Sequence, residues 1–189
     1  MKLYILRHFQ RDINNASFKS ELIKEGINQA INKSFILKNL DINMIFSSPF
    51  IRCIQSVDYY SKINNIDINI DYSLSEFFHI NEKKIYINDD YNIPEDWFRK
   101  FNIKNEYSIL NKYNINETSN DVIERVHTFI KEIINKYKNT DKNIILVTHM
   151  TIVNIILYYF NKIHYGDNIS INFEAKYDMG RLLLLYRSK

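Results

Sequence analysis

Apolar residues in this chain fall into short unbroken blocks, separated by stretches in which they recur every three or four positions. The blocks at 3–6 (Leu-Tyr-Ile-Leu) and 144–147 (Ile-Ile-Leu-Val) hold no polar position, which is the pattern of strands buried on both faces of a parallel sheet. In 119–138, Val122, Val126, Phe129, Ile130, Ile133 and Tyr137 recur at helical spacing, and this predicts an amphipathic helix. The same reading gives strands over 2–6, 43–47, 66–70 and 143–148, and helices over about 20–38, 50–62, 119–138 and 150–162. Two closing strands, 169–173 and 182–186, follow, one of them antiparallel. Such alternation predicts the α/β class: a three-layer α/β/α sandwich, with a mostly parallel central sheet and helices on both faces. Residues 76–118, aromatic and asparagine-rich, show little period.

Chemistry is concentrated where the apolar blocks end. Arg7 and His8 leave the first block, and His149 leaves the second. In open α/β sheets, ligands sit outside the carboxyl ends of the strands. A third exit, Ser47-Ser48-Pro49, places proline near a helix start with Arg52 one turn in. A helix N-terminus and a guanidinium fork both favour phosphate or carboxylate. Three strand ends are therefore expected to converge on an anion.

At this point the chain resembles the histidine phosphatase superfamily, also called phosphoglycerate mutase-like, whose signature is Arg-His-Gly after the first strand. The likeness runs through nearly the whole sequence. Leu22-Ile23-x-x-Gly26-x-x-Gln29-Ala30 is similar to the family's Leu-Thr-x-x-Gly-x-x-Gln-Ala helix, and Ser47-Ser48-Pro49-x-x-Arg52-x-x-Gln55-Ser56 to its Ser-Ser-Pro-x-x-Arg-x-x-Gln-Thr segment. Leu74-Ser75-Glu76 resembles the segment with its acidic residue. Asn116-Glu117-Thr118 with Arg125-Val126 resembles Gly-Glu-Ser and its downstream Arg-Val, and Val147-Thr148-His149-Met150-Thr151 resembles Val-Ser-His-Gly-Gly. Phe9 departs from the usual glycine, Met150 and Thr151 replace a glycine pair, and Ile23 replaces threonine. Phenylalanine lacks glycine's freedom of close approach and backbone angle, so Phe9 bears on rate and substrate shape more than on fold.

The resemblance implies a phosphatase with His8 as nucleophile, holding the phosphoryl group covalently. Arg7, Arg52 and a protonated His149 are then expected to neutralise the transferring group. Glu76 is implied as the acid that protonates the leaving alkoxide, its proton retained by like-charge repulsion from a dianionic phosphate. Asn14 lies at the spacing of a phosphate-touching asparagine, and Gln10 and Arg11 follow the nucleophile where they can meet the leaving group. Arg7-His8-Phe9-Gln10-Arg11 and Arg52-Cys53-Ile54-Gln55-Ser56 are also similar to a eukaryotic branch of protein-tyrosine and steroid-phosphate phosphatases. That hints at branch without assigning a substrate. The 76–118 stretch corresponds to the family's insertion over the active site, so Tyr86, Tyr91, Trp97, Phe98 and Phe101 either line a substrate lid or form a satellite core.

Composition narrows the remaining options. At 189 residues and 46% hydrophobic content the chain fits one domain, 1–189, with no repeat and no Pro/Gly/Ser-rich linker. A lone cysteine, Cys53, excludes an internal disulfide and reads as a small core residue in a reducing compartment. His79, His127 and His164 match no motif, and no Cys-x-x-Cys or His-Glu-x-x-His spacing suggests a metal, so neither metal nor cofactor is expected. A diffuse net charge of +3 argues against a nucleic-acid partner. The first strand leaves no room for a signal peptide, and no run reaches the roughly 20 apolar residues of a membrane span. A cytoplasmic enzyme acting on a phosphorylated small molecule or phosphoprotein is the expectation, with oligomeric state left open. Two alternatives share the motifs: phosphoglycerate mutase-type transfer, and a catalytically weak phospho-ligand or partner-binding protein suggested by Phe9, Met150 and Thr151.

Overall fold

A computed structural model describes residues 1–104, 109, 110, 112–165 and 178–188. Five strands, β1 (Lys2–Arg7), β2 (Met44–Ser47), β3 (Ile68–Ile70), β4 (Asn143–Thr148) and β5 (Leu182–Arg187), form one sheet in the order β3-β2-β4-β1-β5. The first four pair in parallel, and β5 runs antiparallel to β1. The expected strand at 169–173 lies outside the described residues.

Strand alternation splits the core into two layers. Tyr4, Leu6, Ile45, Ile145 and Val147 face one cluster, which also takes Ala30 and Leu37 of helix α1 (Lys24–Asn39) and Cys53, Ile54 and Val57 of α2 (Ile51–Asn64). Leu3, Ile5, Phe46, Ile144 and Leu146 face the other, against α5 (Ser119–Tyr137) and α6 (Met150–Tyr165). The result is the expected three-layer sandwich, because side chains on a strand alternate between faces. Thr118 and Asp121 cap α5 reciprocally, a device worth ~1 kcal/mol. Val122, Val126, Phe129, Ile130 and Ile133 are all buried, and each such side chain contributes roughly 1.5–3 kcal/mol. Packing therefore dominates over the cap in holding this helix.

Observed boundaries differ most before α1, which starts at Lys24 instead of about 20. The intervening residues are bound elsewhere: Leu22 bridges to Arg11, and the Ile23 N–H donates to the Gln10 carbonyl at 3.1 Å. Gly26 makes this approach possible, since a Cβ there would lie 2.1 Å from the Gln10 carbonyl oxygen. Within 76–118, two short helices appear, α3 (Ile80–Tyr86) and α4 (Glu95–Lys100). Trp97 and Phe101 are buried in the first core cluster, with Tyr86 and Tyr91 packed on it. Two of this aromatic set, Trp97 and Phe101, are core, and Tyr86 and Tyr91 border it. The set also grips the loop after β1: Ala16 N–H donates to Tyr86 Oη at 2.9 Å, and Phe18 stacks on Trp97 at 5.6 Å.

Phe9 is accommodated by a partner far along the chain. It is only 2% exposed and joins the first core cluster. Its ring lies against Gly180, where a Cβ would fall 2.4 Å from Phe9 Cε1. Gly180 has φ of 75° and its N–H reaches the carbonyls of Arg7 at 3.1 Å and His8 at 3.2 Å. Gly180→Ala is expected to cost about 2–4 kcal/mol, combining the left-handed backbone penalty with overpacking. In a Phe9→Ala background only the backbone part, about 1 kcal/mol, should remain. Denaturant unfolding of the four proteins in this cycle measures both numbers, and equal costs in both backgrounds would refute the contact.

Candidate active site

Sheet register brings the expected residues together. Pairing of Arg7 with Thr148 sets the ends of β1 and β4 side by side, and the His8 N–H donates to the Thr148 carbonyl at 3.0 Å. The Ser48 N–H donates to the Val147 carbonyl at 3.0 Å, which places the exit of β2 on the other side of β4. His8 and His149 rings then lie 5.4 Å apart between centroids.

Backbone fixes the tautomer of His8. Its Nδ1 is 2.8 Å from the Phe9 carbonyl, and a carbonyl only accepts, so Nδ1 carries the hydrogen. The Nε2 lone pair is left for attack. Burial, then the positive field of Arg52, holds the His8 pKa well below 6.5, so the imidazole is neutral near neutral pH. Phe9 is anchored in turn through its N–H to Ser56 Oγ at 3.1 Å.

Arg52 is fully buried. Its Nη1 donates to the Ser17 carbonyl at 2.9 Å, and its guanidinium carbon lies 4.6 Å from the Phe50 ring centroid. Nε and Nη2 have no hydrogen-bond partner among the described residues. Nη2 faces Glu76 Oε2 at 4.0 Å. Desolvation lowers the Arg52 pKa to about 10, which still leaves it charged. Arg7 is half-buried, within the fields of Glu76 and Asp178.

His149 differs from expectation in its charge. Its Nε2 is 2.8 Å from Ser48 Oγ, and its Nδ1 is 3.5 Å from Glu76 Oε2. Burial, followed by Arg52 and His8, pushes its pKa well below 6.5. His149 is therefore neutral near neutral pH, because a buried imidazolium among guanidinium groups loses solvation and gains repulsion. An entering phosphate dianion reverses the second of these terms.

Glu76 occupies the centre of the cluster. Burial raises its pKa above 4.5, opposed by Arg52. Its side chain keeps 17% exposure, so it retains a path to water. The segment carrying it is held at several points. Arg125 pairs with Glu117 through Nε to Oε2 and Nη2 to Oε1, both at 2.6 Å, and donates to the carbonyls of Ser73 and Ser75. Thr148 Oγ1 donates to the Leu74 carbonyl, and Tyr113 Oη to that of Glu76 at 2.8 Å. A fully buried Asp71 accepts from Ser73, Ile109 and Leu110 N–H groups.

Other expected residues lie further out. Asn14 is exposed on the 12–15 turn, and its backbone N–H donates to Asp12 Oδ1 at 2.9 Å. Its side chain makes no hydrogen bond to His8, Arg52, Glu76 or His149 among the described residues. Arg11 uses Nη1 on the carbonyls of Asp12 and Asn15, so it shapes that turn while its charge still reaches both histidines. Gln10 lines a cavity with Arg7, Gln29 and Met150. His79 is exposed at the start of α3, and His127 stacks on Tyr158 and meets Tyr159 edge-on. The side chain of His164 lies outside the described residues. Cys53 is buried with Sγ 3.6 Å from His149 Nε2, and burial pushes its thiol up to about 12. Ser48, Phe50, Tyr113 and the Glu117–Arg125 pair have roles the sequence reading did not assign. Ser48, Glu117 and Arg125 sat inside quoted motifs, whereas Phe50 and Tyr113 gave no signal beyond being aromatic.

Among the described residues no group of three or more His, Cys, Asp or Glu is placed to hold a metal ion. None of the described helices is long and apolar enough to cross a membrane.

Known proteins share this architecture. The ecdysone phosphate phosphatase of Bombix mori, solved with tungstate, superposes with a TM-score of 0.78 at 14% identity, over 96% of this chain and 87% of that one. The alpha-ribazole phosphatase of Shigella flexneri gives 0.60 at 18% identity, over 85% and 79%. A mycobacterial glucosyl-3-phosphoglycerate phosphatase gives 0.58 at 17% identity, over 85% and 79%. Identities this low establish a common fold and leave substrates apart. No match emerges among curated protein sequences. The sequence profile of the histidine phosphatase superfamily (branch 1) matches residues 3–176. A match of that length, taken with His8, His149, Arg7 and Arg52 at adjoining strand ends, means that the chain belongs to the histidine phosphatase superfamily.

Proposed function

We propose that the protein is a phosphomonoester hydrolase that needs no metal and works through a phosphohistidine on His8. The observation that carries this reading is the buried Arg52 guanidinium, with two undonated nitrogens beside a neutral His8 whose Nε2 lone pair is free. An uncompensated buried cation is costly, and a phosphate oxygen supplies the missing acceptors.

The geometry supports the following steps. Phosphate displaces Glu76 as the counter-charge of Arg52, with Arg7 closing on the same group. Two guanidinium groups together supply the charge neutralisation that metal ions give in other phosphoryl transfers. His8 Nε2 attacks phosphorus, and the P–O bond to the leaving alcohol breaks. Glu76, repelled by the dianion and already raised by burial, gives its proton to the departing oxygen. It then takes a proton from water, which attacks phosphorus and releases His8. His149, neutral by itself, gains a proton or donates a hydrogen bond as phosphate arrives. Phe9 does not weaken this reading, because its ring goes into the core and it is not among the described non-glycine residues with positive φ.

Two outcomes are expected. Hydrolysis of p-nitrophenyl phosphate in excess chelator should fall at least about 10³-fold in His8→Ala, and brief exposure to radiolabelled substrate should leave an acid-labile label on wild type only. Wild-type turnover in His8→Ala would remove the assigned nucleophile. The pH dependence has a definite sign. His8 must be deprotonated, and its lowered pKa puts the rising limb below about pH 6.5. Glu76 must be protonated, and its raised pKa carries the falling limb above its usual value of 4.5. Activity toward alkyl phosphates should therefore decline as pH rises through the Glu76 pKa. In Glu76→Gln that limb should vanish, with a larger rate loss for alkyl esters than for the p-nitrophenyl ester. An unchanged limb in the variant would assign the acid elsewhere.

A further inference from the structure

A cavity of about 670 Å³ opens beside the nucleophile, lined among the described residues by Arg7, Gln10, Ile13, Gln29, Met150, Asp178 and Met179. Its place in the chain fixes its role. Arg7 precedes the nucleophile, Gln10 follows it by two residues, and Met150 follows His149. Arg7, Gln10 and Met150 put the cavity next to the proposed reacting groups, within reach of the part of a phosphomonoester beyond phosphorus. The volume falls within the roughly 300–1,000 Å³ of sites for drug-sized ligands, far more than a three-carbon acid fills.

Its lining is selective in charge. Among the described lining residues the one cation is Arg7, which the phosphatase reading commits to phosphate. With Arg7 engaged, the charge left in the described lining is the exposed Asp178 carboxylate, whose field reaches Arg7, as does that of Arg11 from outside the lining. A second phosphate or a carboxylate beside Asp178 would meet repulsion and find no cationic partner among the described lining residues other than Arg7. The rest of the wall is apolar or amide. Ile13 is 77% exposed, an apolar side chain held out at the rim. Met150 and Met179 add polarizable thioethers that fit flat rings of differing shape. Gln10 and Gln29 supply hydrogen bonding for a hydroxyl or two. Gln29 is itself held, its Oε1 receiving the Gln10 N–H at 3.4 Å.

Resting on the phosphatase reading, we propose that this cavity selects phosphomonoesters of uncharged, ring-bearing apolar alcohols over sugar phosphates and phosphorylated acids. Ile13, Met150 and Met179 form the apolar wall, and Asp178 excludes anionic leaving groups.

The test compares 2-naphthylmethyl phosphate, glucose 6-phosphate and 3-phosphoglycerate. All three are esters of primary alcohols, so their leaving-group chemistry is close and kcat/KM reports the cavity. Wild type should prefer the naphthylmethyl ester by at least about tenfold over each of the others. Ile13→Asp should lower that ratio about tenfold, and Asp178→Asn should raise kcat/KM for 3-phosphoglycerate relative to glucose 6-phosphate. A preference for glucose 6-phosphate or 3-phosphoglycerate, with p-nitrophenyl phosphate still cleaved in a His8-dependent way, overturns this inference and leaves the phosphatase reading standing. A naphthylmethyl preference untouched by Ile13→Asp also overturns it. Absence of His8-dependent cleavage of every ester, p-nitrophenyl phosphate included, overturns both.

Discussion

Everything at the carboxyl end of the sheet is arranged around a guanidinium with no access to water. Taking such a cation out of solvent costs several kcal/mol even after relaxation, and Arg52 recovers part of this through the Ser17 carbonyl, the Phe50 face and the Glu76 carboxylate. The recovery is incomplete, since Nε and Nη2 stay without hydrogen bonds among the described residues. The same charge depresses both buried histidines and opposes the burial that raises Glu76. After burial itself, this one residue is the next largest influence on the protonation of the other three. Glu76 Oε2 stands 4.0 Å from that charge as its counter-ion, and in the proposed reaction phosphate takes over this part and leaves the carboxyl to carry the proton.

Much of this was legible in the letters. Double-sided burial leaves no polar position in 3–6 or 144–147, and once such strands are parallel their exits must neighbour one another, so Arg7, His8 and His149 were found from pattern alone. Arg52 followed from proline at a helix start. The charge of His149 was not legible, because protonation depends on which groups surround it in space. The start of α1 was missed for a related reason: residues before Lys24 look compatible with a helix, but the Gln10 carbonyl takes the Ile23 N–H. Asn14, placed by spacing, sits on a turn whose geometry is set by Arg11 and Asp12.

The 76–118 stretch resisted pattern reading because its contacts join residues far apart in sequence, within the stretch as between Tyr91 and Tyr113 and outside it as between Trp97 and Phe18. Phe18, Phe50, Tyr91, Trp97 and Tyr113 form a continuous aromatic set through ring contacts of 4.6–6.1 Å. No sequence period announces such a cluster, since its members come from four separate segments. Its consequence is mechanical. The ring under Arg52 and the tyrosine that fixes the Glu76 backbone belong to one packed body, so the cation and the acid share a support. Arg125, reaching from α5 to the Ser73 and Ser75 carbonyls, ties that support to the opposite layer.

The contact between Phe9 and Gly180 also couples two positions far apart in the chain. The ring at position 9 fills the space that a side chain at position 180 would need, and the left-handed backbone at 180 favours glycine as well. A side chain at 180 collides with the ring, and loss of the ring opens a void. The departure at the residue next to the nucleophile is thus a packing commitment made with the turn before the last strand, so a change at either position is felt at the other.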